Sequence, residues 1–203
     1  MNPALLIVIL VVLVIGTFVV VVLRSSLRMQ RESHAFLHEL APRLGASLER
    51  EDPARLTGER NGRRFIVTLR RRSSSRYGTT VETWIEIPVA TDIHLQVEPQ
   101  VSDLGARIAG DVVLHDPAFD AACLLRTTAP GVAERALDAD MRAAMADGCR
   151  TGDLTLLVVK GQWLRLELRG APDDPENEPM VTRYLDAALA LAGRLDAAAA
   201  EQA

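Results

Sequence analysis

Residues Ala4 to Leu23 read ALLIVILVVLVIGTFVVVVL, twenty positions without a charged side chain. A helix rises about 1.5 Å per residue, so this run matches the roughly 30 Å hydrocarbon core of a bilayer. Within lipid every backbone amide must find a partner inside the segment, which for a lone span means a helix. Gly16 and Thr17 are compatible with one. The run predicts a transmembrane anchor over residues 1–23. A cleaved signal peptide would carry a basic start, a shorter apolar stretch and a small-x-small cleavage site. Met1-Asn2-Pro3 has no basic side chain, and Leu23-Arg24-Ser25-Ser26 offers no Ala-x-Ala. The anchor is therefore expected to stay in place.

Charge asymmetry sets the expected orientation. Arg24, Arg28 and Arg31 follow the run, and no basic side chain precedes it. Arginines beside a span stay on the cytoplasmic side. This predicts a single-pass protein of the bacterial inner membrane, N-terminus outside and C-terminal domain in the cytoplasm. The same three arginines can attract anionic headgroups, each by about 1 kcal/mol.

The basic residues are nearly all arginine, Lys160 being the one lysine. Residues 32–76 hold ten arginines against six acids, whereas residues 77–203 hold 21 acids against nine arginines and Lys160. An acidic distal part argues against nucleic acid as a partner, because phosphate neutralisation supplies most of that affinity. A basic proximal part suits a domain standing on an anionic leaflet. Cys123 and Cys149 stand alone in sequence, without a CxxC. They suit a reducing compartment, argue against a disulfide framework or zinc site, and read as small buried hydrophobes.

Past the anchor, Phe36, Leu37, Leu40 and Leu44 recur at helical spacing, which predicts a juxtamembrane helix over residues 24–45. Gly45 is a natural stop, and Pro42 should kink or shorten the helix. One domain over residues 46–196 follows, then a tail, 197–203. Runs 55–60 and 63–69 flank Asn61-Gly62, the strongest short hairpin signal. Thr79–Ile87 alternates, Val81, Ile85 and Ile87 on one side and Glu82, Trp84 and Glu86 on the other, with Pro88 closing the strand. Ile93, Leu95 and Val97 make a third alternation, and these strands read as an antiparallel meander. A strand over Ala121–Thr127 is followed by a helix opened at Pro130, carrying an apolar stripe from Val132 to Met145 and stopped by Gly148. Leu154–Val159 and Gln162–Leu168 read as a hairpin across Lys160-Gly161. From Met180, Val181, Tyr184, Leu185, Ala188, Leu191, Ala192 and Leu195 define a final amphipathic helix. Grouped strands with few intervening helices predict an α+β two-layer domain, mostly antiparallel sheet with two or three helices.

Several residue clusters could carry chemistry. Asp111, His115, Asp116 and Asp120 lie close together in GDVVLHDPAFD. Catalysis would make Asp116 or Asp120 a base with His115 as its partner. Turn chemistry competes, since Asp before Pro starts a turn and Asp120 can cap backbone amides. His34 and His38 have the i, i+4 spacing of metal ligands but lack the Glu of HExxH, and no third ligand is evident. The acidic stretch 173–178 lacks the calcium-loop pattern; Asn177 capping the last helix is the simpler expectation. Gly105 and Gly110 have P-loop spacing without the Lys-Ser/Thr that follows. No metal site and no cofactor are expected.

Arg70, Arg71, Arg72 and Arg76 form the sharpest charge feature, at the tip expected between the Phe65 and Val81 strands. With Arg24, Arg28 and Arg31 they are candidates to contact anionic lipid or an acidic protein partner.

The stretch from Gly110-Asp111 to Phe119-Asp120-Ala121, followed by Leu124-Leu125-Arg126 and a Pro-started helix, resembles a GD…FD…V-R pattern of uncharacterised bacterial single-span membrane proteins. The resemblance spans roughly residues 108–170 and implies no activity. The chain therefore reads as a membrane-tethered interaction or scaffold module, not an enzyme. The competing class is a membrane-anchored hydrolase or ligand-binding enzyme built on Asp111, His115, Asp116 and Asp120. A periplasmic ligand-binding domain applies if the topology is reversed.

Overall fold

The computed structural model describes residues 16–18, 20–21, 24, 35, 38–51, 53–74, 78–100, 111–170 and 178–201, with the backbone course alone for 51, 71–74 and 78–80. Among the described residues the fold is α+β: a nine-stranded antiparallel sheet with several helices. Among the described residues no helix is long and apolar enough to cross a membrane, and most of the run 4–23 falls outside them. Arg28, Arg31, His34, Arg76, the Gly105–Gly110 stretch and residues 173–177 also lie outside the described residues.

Helix α1 covers residues 38–44 and ends where Gly45 adopts φ +67° and donates to the Pro42 carbonyl at 3.3 Å. The left-handed angle is open to glycine at little cost. Leu40, Ala41 and Leu44 are buried in the domain core, so this helix end is part of the domain. It feeds β1 (Ala46–Glu51), a strand the alternation pattern did not reveal. Then come β2 (Ala54–Arg60), β3 (Arg63–Ser74) and β4 (Gly78–Pro88). Asn61 (φ 55°) and Gly62 (φ 72°) make the expected tight turn between β2 and β3.

The remaining elements are β5 (Leu95–Pro99), β6 (Asp111–Val112), α2 (Pro117–Ala122), β7 (Cys123–Thr127), α3 (Pro130–Ala136), α4 (Ala139–Thr151), β8 (Leu154–Lys160), β9 (Trp163–Arg169) and α5 (Glu178–Ala200). The sheet order is β1-β2-β3-β4-β9-β8-β5-β7-β6. Thus β1 to β4 form a meander, but β5 leaves it: β9 takes the place beside β4, and β5 sits between β8 and β7.

Four local expectations are corrected. The strand expected from Ala121 begins at Cys123, because Asp116 caps a short helix with Pro117 in its first turn and Phe119 and Ala122 buried. The single helix after Pro130 is two, broken at Leu137; Asp138 accepts from Met141 N–H and starts α4 afresh. Gly148 does not stop α4, which runs to Thr151 and is capped by Gly152 at φ 80°. Gly148 lies inside the helix where a Cβ would collide with the Tyr184 hydroxyl and stand 3.0 Å from Leu154 Cβ. The second hairpin turns at Gly161 and Gln162, one residue later than expected, both with positive φ.

Burial alternates along β4 and β9, while β3 is buried on both faces from Phe65 to Leu69. Leu56, Phe65, Val67, Ile85, Ile87, Leu164, Leu166, Leu168, Leu157, Val159, Leu95, Val97 and Leu125 point to one face and are buried. Helices α4 and α5 pack on that face, α5 over β4 and β9, α4 over β8, β5 and β7. Val181, Tyr184, Leu185, Ala188, Leu191, Ala192 and Leu195 of α5 are buried against it, the stripe expected from sequence. The opposite face carries Trp84, Arg165, Glu167, Gln96, Glu98 and Arg126.

Candidate functional site

On this second face, Trp84 of β4 stands opposite Thr68 of β3 and Glu167 of β9. Two guanidinium groups from separate strands close on its ring. Arg70 lies 3.8 Å and Arg165 4.3 Å from the ring centroid. Each such contact contributes about 0.5–1 kcal/mol at an exposed position. The indole Nε1–H donates to Glu82 at 3.4 Å, and Arg165 pairs with Glu167 at 2.9 Å. Arg70 is directly opposite Glu82, and Glu82 opposite Arg169. A guanidinium held over an indole can still offer N–H groups to a phosphate or carboxylate.

Arg70 also sits at the root of a ribbon. Pairing of β2 with β3 ends at Arg55 and Thr68, and pairing of β9 with β4 ends at Arg169 and Glu82. Strands β3 and β4 continue past both neighbours to Ser74 and Gly78. Arg71 and Arg72 fall in this extension, opposite Val81 and Thr80.

The segregation of charge seen in sequence is partly resolved by pairing across the fold. Arg43 pairs with Glu178 and holds its carboxyl below the usual carboxylate range, chiefly by hydrogen bonding. Arg60 meets Asp186 at 2.9 Å, and Arg63 meets Asp196 at 2.8 Å. The other Asp196 oxygen accepts from Ala90 N–H at 2.7 Å. These links tie α1, β2, β3 and the loop after β4 to α5.

The Asp/His cluster is placed as follows. Asp116 accepts from the N–H groups of Ala118 (3.2 Å) and Phe119 (3.1 Å), and its other oxygen lies 3.6 Å from Arg142. Asp120 accepts from Leu114 N–H (3.2 Å) and Asp116 N–H (3.1 Å). Both carboxylates therefore hold the turn into α2. His115 is exposed at φ 57°. Asp111 lies apart, on β6, where Arg126 Nε meets it at 2.9 Å while the same guanidinium reaches Glu98 at 2.9 Å. His38 is exposed on α1. Among the described residues no group of three or more His, Cys, Asp and Glu is arranged to hold a metal ion.

Trp84, Arg165, Arg126 and Glu98 were not among the candidate site residues read from the sequence. The available signal was an aromatic on the polar side of an alternating strand.

No family model and no curated protein matches the chain. Among solved structures the chain is similar to the crystal structure of the mycobacterial trehalose monomycolate transport factor A. The TM-score is 0.46 and the identity 11%, over 83% of this chain and 93% of that one. A likeness this loose carries no argument about fold or function.

Proposed function

We propose that the chain is a membrane-tethered interaction module whose basic ribbon and Trp84 face receive the headgroups of anionic lipids. The observation that carries this reading is the Arg70–Trp84–Arg165 stack at the base of a ribbon bearing Arg71 and Arg72. The apolar run 4–23 would supply the anchor. Phe18, Val20 and Val21, on helical backbone, are 68%, 50% and 58% exposed, as lipid-facing side chains are. Arg24, Arg28 and Arg31 would add their charge at the same leaflet. Asp116 and Asp120 are engaged in forming the turn into α2, a structural role for these carboxylates.

Headgroup attraction fades over about 8 Å at physiological salt, so the ribbon must approach the leaflet closely. The test uses the full chain in nanodiscs of phosphatidylcholine, alone or mixed equally with phosphatidylglycerol. Amide exchange across residues 66–86 should slow by at least about tenfold in the anionic discs, since each arginine contributes about 1 kcal/mol there. High salt should abolish the difference, as should Arg70→Gln, Arg71→Gln, Arg72→Gln and Arg76→Gln together. Equal exchange in the two discs overturns the lipid reading and turns attention to an acidic protein partner.

Cytoplasmic placement has its own test. Cys123 and Cys149 are buried and so silent to impermeant thiol reagents. Glu134 is exposed on α3. An impermeant maleimide is expected to label a Glu134→Cys chain only after cell lysis. Labelling in intact cells would reverse the proposed topology.

A further inference from the structure

Cys123 is the first residue of β7, and Cys149 lies in the last turn of α4, 26 positions later. Folding brings their Sγ atoms to 2.9 Å. A disulfide bond is about 2.05 Å long, so bond formation asks for less than about 1 Å of movement. Both thiols are free and buried, Cys123 being 3% exposed and Cys149 8%. Two cysteines far apart in sequence meet here at the joint between α2, α4 and β7.

We propose that Cys123 and Cys149 form an oxidation site, closed by a peroxide into an intramolecular disulfide. Cys149 is the attacking sulfur. It is the more exposed of the two, and it accepts the Cys123 S–H as a hydrogen bond, which favours its thiolate. That same bond, together with burial, pushes the Cys123 thiol upward, so Cys123 keeps its proton in the resting pair. The Cys149 thiolate attacks one peroxide oxygen; the O–O bond breaks, the second oxygen leaves as water after taking a proton, and Cys149 becomes a sulfenic acid. Cys123 sulfur then attacks Cys149 sulfur; the S–O bond breaks, and the Cys123 proton passes to the departing oxygen, which leaves as a second water. The pair gives up two hydrogens and two electrons, and the peroxide is reduced to two waters.

The closed form would pin the end of α4 to the start of β7, with α2 held between. Gly148, one residue before Cys149, seats the Tyr184 hydroxyl of α5, so the bond would stiffen the seam between α4 and α5 as well.

The test takes the full chain in detergent, reduced and then treated with hydrogen peroxide. Iodoacetamide is added after denaturation, and intact mass and peptide maps are read. The expected product has lost two hydrogens, takes no alkyl group on either cysteine, and links the peptides holding Cys123 and Cys149. Closing the loop should raise the thermal midpoint by about 5–10 °C, reversibly with a dithiol reductant. Cys123→Ser and, separately, Cys149→Ala should each lose the mass change and the rise in midpoint. Two alkylatable thiols remaining after peroxide has already oxidised the methionines would overturn the proposal. So would disulfides that join two chains in place of closing one.

Discussion

Replacing Phe65 with alanine is expected to lower the thermal midpoint of the full chain by about 10 °C or more. Phe65 is fully buried on β3, directly opposite Gly58 of β2. Its ring occupies the space a side chain at 58 would need: a Cβ there would stand 2.8 Å from Phe65 Cε1 and 3.0 Å from Ala46 Cβ, and would collide with Phe65 Cζ. The glycine and the aromatic are thus one packing unit across two strands. Truncating such a ring costs about 3–5 kcal/mol, through lost contact and the hole left behind. The reciprocal change, Gly58→Ala, is expected to cost about 1–3 kcal/mol by overpacking. In a Phe65→Leu background that penalty should shrink by at least about 0.5 kcal/mol, because the colliding ring atoms are gone. Calorimetry on the four chains of that cycle measures the coupling. Strictly additive effects would show that the two positions do not share space.

Arg126→Leu is expected to cost about 2–3 kcal/mol in urea unfolding. The Asp111 side chain is 3% exposed, and the Arg126 guanidinium reaches it and Glu98 at once. Removing the cation leaves a buried carboxylate with one fewer charge to balance it, and an unbalanced buried charge costs more than the pair was worth. The figure is set below that for a wholly buried pair because Arg126 is 35% exposed. Combining Arg126→Leu with Asp111→Asn should recover most of the loss. An Arg126→Leu chain as stable as the parent would show that Asp111 does not depend on the guanidinium.

The contrast between these two sites marks what a single sequence can disclose. Asn61-Gly62 was legible because both residues declare a positive φ locally, and the structure puts them there. The α5 stripe was legible because its period lies within one segment. The break between α3 and α4 had a local signal too, an Asp that can cap a helix, but the continuing apolar stripe masked it. The partner of β4 had none. Its neighbour β9 lies some eighty residues away, and nothing in Thr79–Ile87 distinguishes β9 from β5. The same holds for charge. Arg60 and Arg63 looked like part of a basic surface until Asp186 and Asp196 were brought to them by α5. Cys123 and Cys149 gave no spacing pattern, because α4 and β7 meet only through the fold. Trp84 could be placed on the polar side of its strand, but its two arginines come from different strands, 14 and 81 positions away.

The β4–β9 junction has a consequence for how the chain is made. When a ribosome has released residues up to Pro88, β1 to β4 can pair among themselves, yet β4 still presents a bare edge. That edge is closed only once β9 emerges, and the apolar face of β4 is covered by α5, which starts at Glu178, well after Pro88. Between the synthesis of β4 and that of β9 and α5 the nascent meander therefore carries an open strand edge and an apolar surface, the two features that invite mispairing. The β4–β9 contacts have high sequence separation, so their formation is expected to be slow. A premature stop after Arg169 would leave β4 and β9 paired, with α4 in place over β8, β5 and β7 but α5 missing, and such a product should be a target for proteolysis.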